Sequence, residues 1–223
     1  MPITHYDHGI ILPKLTRKTT EKGRRYFTPE GNTYPSITTV LSELSKDSIK
    51  AWRKRVGEEE ANKISARASK RGTKVHQICE DYLNNNEDYL KGVLPNNVAS
   101  FNDIKPIIDA NINNVWFQEE FLYSDHFKCA GQVDCIGEWA GELSIIDFKT
   151  SRKPKKEEWI QNYFMQCAFY AAAFFERTGI PIKQSVVLIT VDGDAPQTFI
   201  TKPHDYLKDL IKARKHYKSI YNV

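Results

Sequence analysis

The chain has 223 residues, 40% hydrophobic and 27% charged, with a formal net charge of +4 and a pI near 8.7. That balance suits a soluble globule long enough to bury a sizeable core. The basicity alone does not mark a nucleic-acid binder, so the distribution of charge has to carry any such argument. No segment is apolar for long enough to span a bilayer, and the N-terminus lacks an Arg-rich amphipathic presequence, which implies no membrane partner and a cytoplasmic protein. Cys79, Cys129, Cys135 and Cys167 show no C-x-x-C spacing for zinc or a redox pair and read as buried free thiols.

Residues 1–34 mix Pro, Gly and Thr with Lys14, Arg17, Lys18, Lys22, Arg24 and Arg25, and read as an irregular basic arm or small hairpin. Ser36 then caps a helix with Ile37, Val40, Leu41 and Leu44 on its apolar face, broken at 45–47. A second helix from Ser48 turns Ile49, Trp52 and Val56 inward, and a charged third runs over 58–69; together they form a helical cap. Thr73 caps a further helix over 72–84, with Val75, Ile78, Cys79, Tyr82 and Leu83 inward. On it His76 and Glu80 share a face at i and i+4, placed to hold a metal or to hydrogen-bond one another. Residues 84–97 read as turns, and 99–114 as a helix interrupted near Pro106.

A strand over 115–123 follows, with Glu119 and Glu120 on opposite sides; one of them faces the site, and the pattern does not say which. Residues 128–136 and 142–149 read as a hairpin turning at 139–141. Asp147 and Lys149, two apart, leave the same face of one strand, and Asp134 on its partner comes beside Asp147 if register allows. Two close carboxylates repel, and a divalent cation relieves that repulsion, leaving Lys149 to act on an attacking water. The loop 150–156 is basic and bears hydroxyls suited to phosphate contact. A largely apolar helix spans 157–178 before Gly179, with Gln166 and Tyr170 as a polar stripe. Strands at 185–191 and 197–201 flank a turn at 192–194, and a basic amphipathic helix closes the chain over 204–221.

The ordered set of RGTKVH with His76, GQVD ending in Asp134, IIDFK with Asp147 and Lys149, and QCAFY with Gln166 and Tyr170 resembles the RecB-type PD-(D/E)XK nucleases. With YPSITTVLS added, the likeness covers most of residues 34–201 and is similar to the branch of the mitochondrial genome maintenance exonucleases and their phage and bacterial relatives. The resemblance implies an α/β (α+β) fold: a restriction-endonuclease-like core with a mixed central sheet flanked by helices, and an N-terminal helical cap. Residues 1–114 would form the arm and helical region, with 72–84 integral to the core, and 115–223 the nuclease core, the whole making one structural domain.

The same resemblance makes His76, Asp134, Asp147 and the backbone carbonyl of Phe148 ligands of Mg²⁺ or Mn²⁺. Asp134, Asp147 and Lys149 become catalytic. Gln166, Tyr170, Ser151 and Lys153 support the site or DNA, and Glu80 stands behind the ligands. It implies a metal-dependent exonuclease acting on DNA, preferentially single-stranded, in replication, recombination or repair, with replication or recombination proteins as partners. A structure-specific endonuclease of the same fold and a non-catalytic accessory protein are the alternatives. The cysteine pattern of iron–sulfur relatives is missing, so no cluster is expected, and no G-x-x-x-x-G-K-[ST] loop supplies a motor.

Overall fold

The N-terminal arm folds into a small antiparallel sheet of β1 (Thr16–Thr20), β2 (Gly23–Phe27) and β3 (Thr33–Pro35) in this computed structural model. The structure describes residues 2–21 and 23–222, so Lys22 of the arm lies outside the described residues. Tyr26 and Tyr34 are the buried aromatic residues of this sheet, packed with Tyr123 and Ala130.

The helices that follow depart from the expected pattern. α1 (Ile37–Ser42) buries Ile37, Val40 and Leu41, but a 3-10 turn over Glu43–Ser45 rotates Leu44 out to 48% exposure. α2 (Lys46–Val56) fully buries no residue: Ile49 faces solvent, and Trp52 and Val56 are only half-buried. The charged run and the motif helix are one continuous element, α3 (Glu58–Leu83), with Thr73 inside it rather than at its cap. Gly72 does not break the helix; at that point α3 runs close to the sheet, where a Cβ would lie 3.8 Å from Thr150 Oγ1. α4 (Pro95–Asn111) begins at a proline and carries Pro106 without interruption.

The main sheet holds β4 (Ile112–Ser124), β5 (Cys129–Trp139), β6 (Glu142–Ser151), β7 (Gln184–Val191) and β8 (Gln197–Thr201), in that spatial order. β5 and β6 meet through a two-residue turn in which Ala140 and Gly141 both take positive φ. β6 and β7 run parallel, joined across α5 (Gln161–Thr178), and all other neighbours are antiparallel. A 3-10 turn, Glu157–Trp159, precedes α5, leaving Trp159 exposed, and Gly179 ends the helix at φ 72°. α6 (Leu207–Tyr221) closes the chain.

Both faces of the sheet are covered, which accounts for the unbroken apolar run of β7. Val187, Ile189 and Val191 pack toward α1, α5 and α6, while Val186 and Leu188 pack toward α3 and α4. All four cysteines are buried free thiols. No described helix is long and apolar enough to cross a membrane.

Arg71 ties the helical region to the sheet. Its guanidinium pairs with Asp192 at 2.6 Å and donates to Ser100 Oγ of α4 at 3.0 Å and to the Ser151 carbonyl of β6 at 3.4 Å. Three partners on three elements predict that Arg71→Ala costs about 2–3 kcal/mol, a fall in Tm of roughly 5–10 °C for a chain of this size. A thermal melt showing a loss below about 0.5 kcal/mol would refute that role.

Candidate active site

The regular alternation of β5 fails at one residue. Val133 and Cys135 are two apart, yet they belong to the cores on opposite faces of the sheet, so the strand turns over at Asp134. Its neighbour is irregular at the same level: Gln118 pairs with Cys135 and Glu120 with Val133, and Glu119 between them holds φ 49°. On the other side Cys135 pairs with Ile146, so one further step of that register sets Asp134 level with Asp147. Three carboxylates therefore stand at one level of β4, β5 and β6.

Asp134 Oδ2 accepts the Phe148 N–H at 2.9 Å and lies 3.3 Å from His76 Nδ1. Burial opposes ionisation of Asp134, but His76, Lys149 and the Phe148 N–H together hold its pKa below the ordinary value. Burial likewise disfavours the charged imidazole, yet the Asp134 carboxylate raises the His76 pKa. Asp147 is 1% exposed, and burial, helped by Asp134 and opposed by Lys149, pushes its pKa up to about 6. Lys149 Nζ forms an ion pair with Asp147 and lies 5.2 Å from the Tyr163 ring centre. Burial works against the Lys149 charge, but Asp147 and Asp134 outweigh it and raise its pKa, which favours the ammonium form.

His76, Glu119 and Asp134 bring one ligand atom each to within 4.8 Å of one another. Asp147 Oδ2 meets the Lys149 ammonium, and its buried Oδ1 has no partner. A hard oxygen-and-imidazole donor set beside an underserved carboxylate fits a divalent cation. Glu119 rather than Glu120 is the carboxylate of β4 that joins the set; the Glu120 side chain accepts the Phe121 N–H at 3.2 Å. Asp147 stands outside this threesome, held by Lys149.

The Q-x-x-x-Y pair supports the site from beneath. Gln166 Nε2 donates to Tyr170 Oη at 3.2 Å, and Tyr170 Oη donates to the Gln132 carbonyl at 2.7 Å. Gly131 makes room for this: a Cβ there would lie 2.8 Å from Tyr170 Cε1 and 3.0 Å from Ile37 Cγ2. Glu80 lines the cleft and accepts from Gln77 at 3.2 Å, without joining the metal-ligating set. Ser151 is buried, its hydroxyl donating to the Lys153 carbonyl at 2.6 Å; it shapes the loop, and neither it nor exposed Lys153 lines the cleft.

The cleft encloses about 790 Å³. His76, Gln77 and Thr73 of α3 form one wall, Asn162, Tyr163 and Gln166 of α5 another, and Ser42 and Ser45 lie at its rim. Arg17 and Arg24 of the N-terminal sheet also face it, contributions that the basic-arm reading did not place.

The sequence profile of the family described as the PD-(D/E)XK nuclease superfamily matches residues 43–217. Among known proteins, the chain is 27% identical over 173 residues to human mitochondrial genome maintenance exonuclease 1, covering 72% of this chain and 49% of that protein. It is 26% identical over 132 residues to the mouse protein of the same name, covering 56% and 39%. The chain thus spans about half or less of the length of these relatives. A solved structure of a protein assigned as an exonuclease from Eubacterium rectale overlaps 67% of this chain and 64% of its own, at 15% identity and a TM-score of 0.45.

Two outcomes test this geometry. Gly131→Ala should cost about 1–3 kcal/mol in chemical denaturation, and less when introduced into a Tyr170→Ala background, where the clashing ring is gone. Glu119 is half-buried, and desolvation, helped by Asp134, raises its pKa from 4.5 to about 7, so the folded state binds its proton more tightly than the unfolded chain. The resulting destabilisation is full above pH 7 and vanishes below pH 4.5. In EDTA, Glu119→Gln should therefore raise Tm by about 2–4 °C at pH 8 and by nothing near pH 4; a pH-independent gain would contradict the assignment.

Proposed function

Because the chain belongs to the PD-(D/E)XK nuclease superfamily, we propose that it is a divalent-metal-dependent DNA exonuclease that takes single-stranded ends. The observation that carries this reading is the cluster of His76, Glu119 and Asp134 beside the Asp147–Lys149 pair, in a cleft that also presents Arg17 and Arg24. The names of the human and mouse relatives support the exonuclease assignment.

His76, Glu119 and Asp134, with Asp147 adjoining, would hold Mg²⁺ or Mn²⁺, and the bound ion would supply Lewis acidity toward a phosphate oxygen and the attacking water. The chain's own residues do the rest. Lys149, kept protonated by Asp147, donates to the oxygen on which negative charge grows as the phosphodiester breaks. The Phe148 N–H fixes the Asp134 carboxylate, and Gln166 with Tyr170 holds the strand that carries it. Arg17 and Arg24 meet the backbone charge of an incoming strand. The cleft floor lies between α3, α5 and the N-terminal sheet, and this walled approach to Asp134 is what supports the reading of an unpaired strand as substrate.

End-labelled linear single-stranded, linear duplex and circular single-stranded DNA, incubated with Mg²⁺, Mn²⁺ or EDTA, test the proposal. Metal-dependent loss of the linear single strand alone is the expected result, and Lys149→Ala should lower turnover by about two to three orders of magnitude with DNA binding retained. Cutting of circles would replace the exonuclease with an endonuclease. Binding without cleavage in every metal would leave a non-catalytic DNA-binding protein.

A further inference from the structure

Glu119 reaches the cluster only because its backbone takes a conformation that side-chain-bearing residues avoid, φ 49° in the middle of a 13-residue strand. Such a conformation persists where the surroundings over-determine it. The carbonyl of Glu119 accepts a hydrogen bond from Gln132 Nε2 at 2.8 Å. Gln132 Oε1 in turn accepts from Arg17 Nη1 of β1 at 2.7 Å. The two partners require the same orientation of the amide. A guanidinium can only donate, so it takes the amide oxygen, and a carbonyl can only accept, so it takes the amide nitrogen. The main chain of Gln132 is fixed as well, its carbonyl accepting from Tyr170 Oη. Gln132 thus has both ends of its side-chain amide and its backbone oxygen committed, and it lies two residues before Asp134 without belonging to the ligand set itself.

We propose that Gln132 is a positioning residue: it captures the Glu119 carbonyl, holds Glu119 in the left-handed conformation and so delivers the third ligand of the cation site, while Arg17 of the N-terminal sheet sets the direction of the Gln132 amide. The proposal rests on the reading that His76, Glu119 and Asp134 bind a divalent cation. It makes the N-terminal sheet part of the machinery that shapes the metal site, beyond any contact it makes with a nucleic acid. It also separates the two cleft arginines. Arg17 acts through Gln132, whereas Arg24 lines the cleft and has no hydrogen bond to Gln132.

Calorimetric titration of Mn²⁺ into the full chain, stripped of metal and without DNA, tests this apart from catalysis. Gln132→Met, which keeps length and loses both hydrogen bonds, should weaken Mn²⁺ binding about 10–100-fold. Glu119→Gln should weaken it to a similar degree, and the double variant should be no weaker than Glu119→Gln alone, because both changes remove one contribution. A merely structural role for Gln132 would lower Tm in EDTA while leaving the Mn²⁺ constant in place. The arginines discriminate by sign. Removing a cation near the site by charge alone should tighten Mn²⁺ binding, and Arg24→Ala should do this or nothing, whereas Arg17→Ala should weaken binding. A folded Gln132→Met with wild-type affinity, or losses that multiply in the double variant, would overturn the proposal. If Gln132→Met does not fold, Arg17→Ala decides, and unchanged or tighter binding refutes it. Since the titration contains no nucleic acid, a protein that fails to cleave DNA would sink the nuclease reading and leave this result standing.

Discussion

Buried negative charge at one level of the sheet is the constraint from which the rest of the site follows. Asp134, Asp147 and Glu119 stand on three adjacent strands, each pushed toward its neutral form by burial. Removing a carboxylate from water costs several kcal/mol unless charge and hydrogen bonds compensate. Compensation comes from four places: the imidazole of His76 on α3, which acts on both Asp134 and Glu119, the ammonium of Lys149 two residues beyond Asp147, the Phe148 N–H, and, least, the guanidinium of Arg17 toward Glu119. The compensation is uneven. Asp134 is held below the ordinary carboxylate pKa, while Asp147 and Glu119 stay above it. Such unmet charge costs the fold stability, and it is the charge that a bound divalent cation would neutralise.

The short motifs take on physical meaning against that constraint. Glycine in G-Q-V-D is required because Tyr170 Cε1 occupies the space a Cβ would need, and Tyr170 must lie there to reach the Gln132 carbonyl. The four-residue spacing in Q-x-x-x-Y sets Gln166 and Tyr170 on one face of α5, close enough to share a hydrogen bond. Each motif residue thus serves the placement of Asp134, including those that never touch a substrate.

Much of the fold was legible in the sequence because its strongest periodicities are long and mark buried elements. The doubly covered β7, the α5 helix ending at Gly179 and the β5–β6 hairpin all follow from apolar patterning and turn residues. Local propensity misled where an element faces solvent: Leu44 and Ile49 carry a helical apolar pattern, but nothing packs over that side of the chain there. Gly72 and Thr73 imitate a helix start inside α3, since a glycine pressed against β6 and a glycine at a cap look alike in a single sequence. The choice between Glu119 and Glu120 depends on register across the turn at 125–128, and a slip of one residue exchanges the two. Even the right register would not have sufficed, because strict alternation fails at Glu119 and Asp134, the residues whose placement matters most.

The continuity of α3 has a mechanical consequence that separate helices would not. At 26 residues it is a rod about 39 Å long, exposed along most of its first half and packed against the sheet through Val75, Ile78, Cys79 and Leu83 in its second. His76 lies on the packed half, little more than one turn beyond Arg71, which binds α3 to β6 and the turn after β7. The exposed first half of α3 and the imidazole beside Asp134 therefore belong to a single stiff element, pinned near its middle by Arg71. The N-terminal sheet reaches Glu119 from the opposite side through Arg17 and Gln132. Two walls of the cleft are thus each connected to a different member of the His76–Glu119–Asp134 cluster, α3 through its own backbone and the N-terminal sheet through side-chain hydrogen bonds.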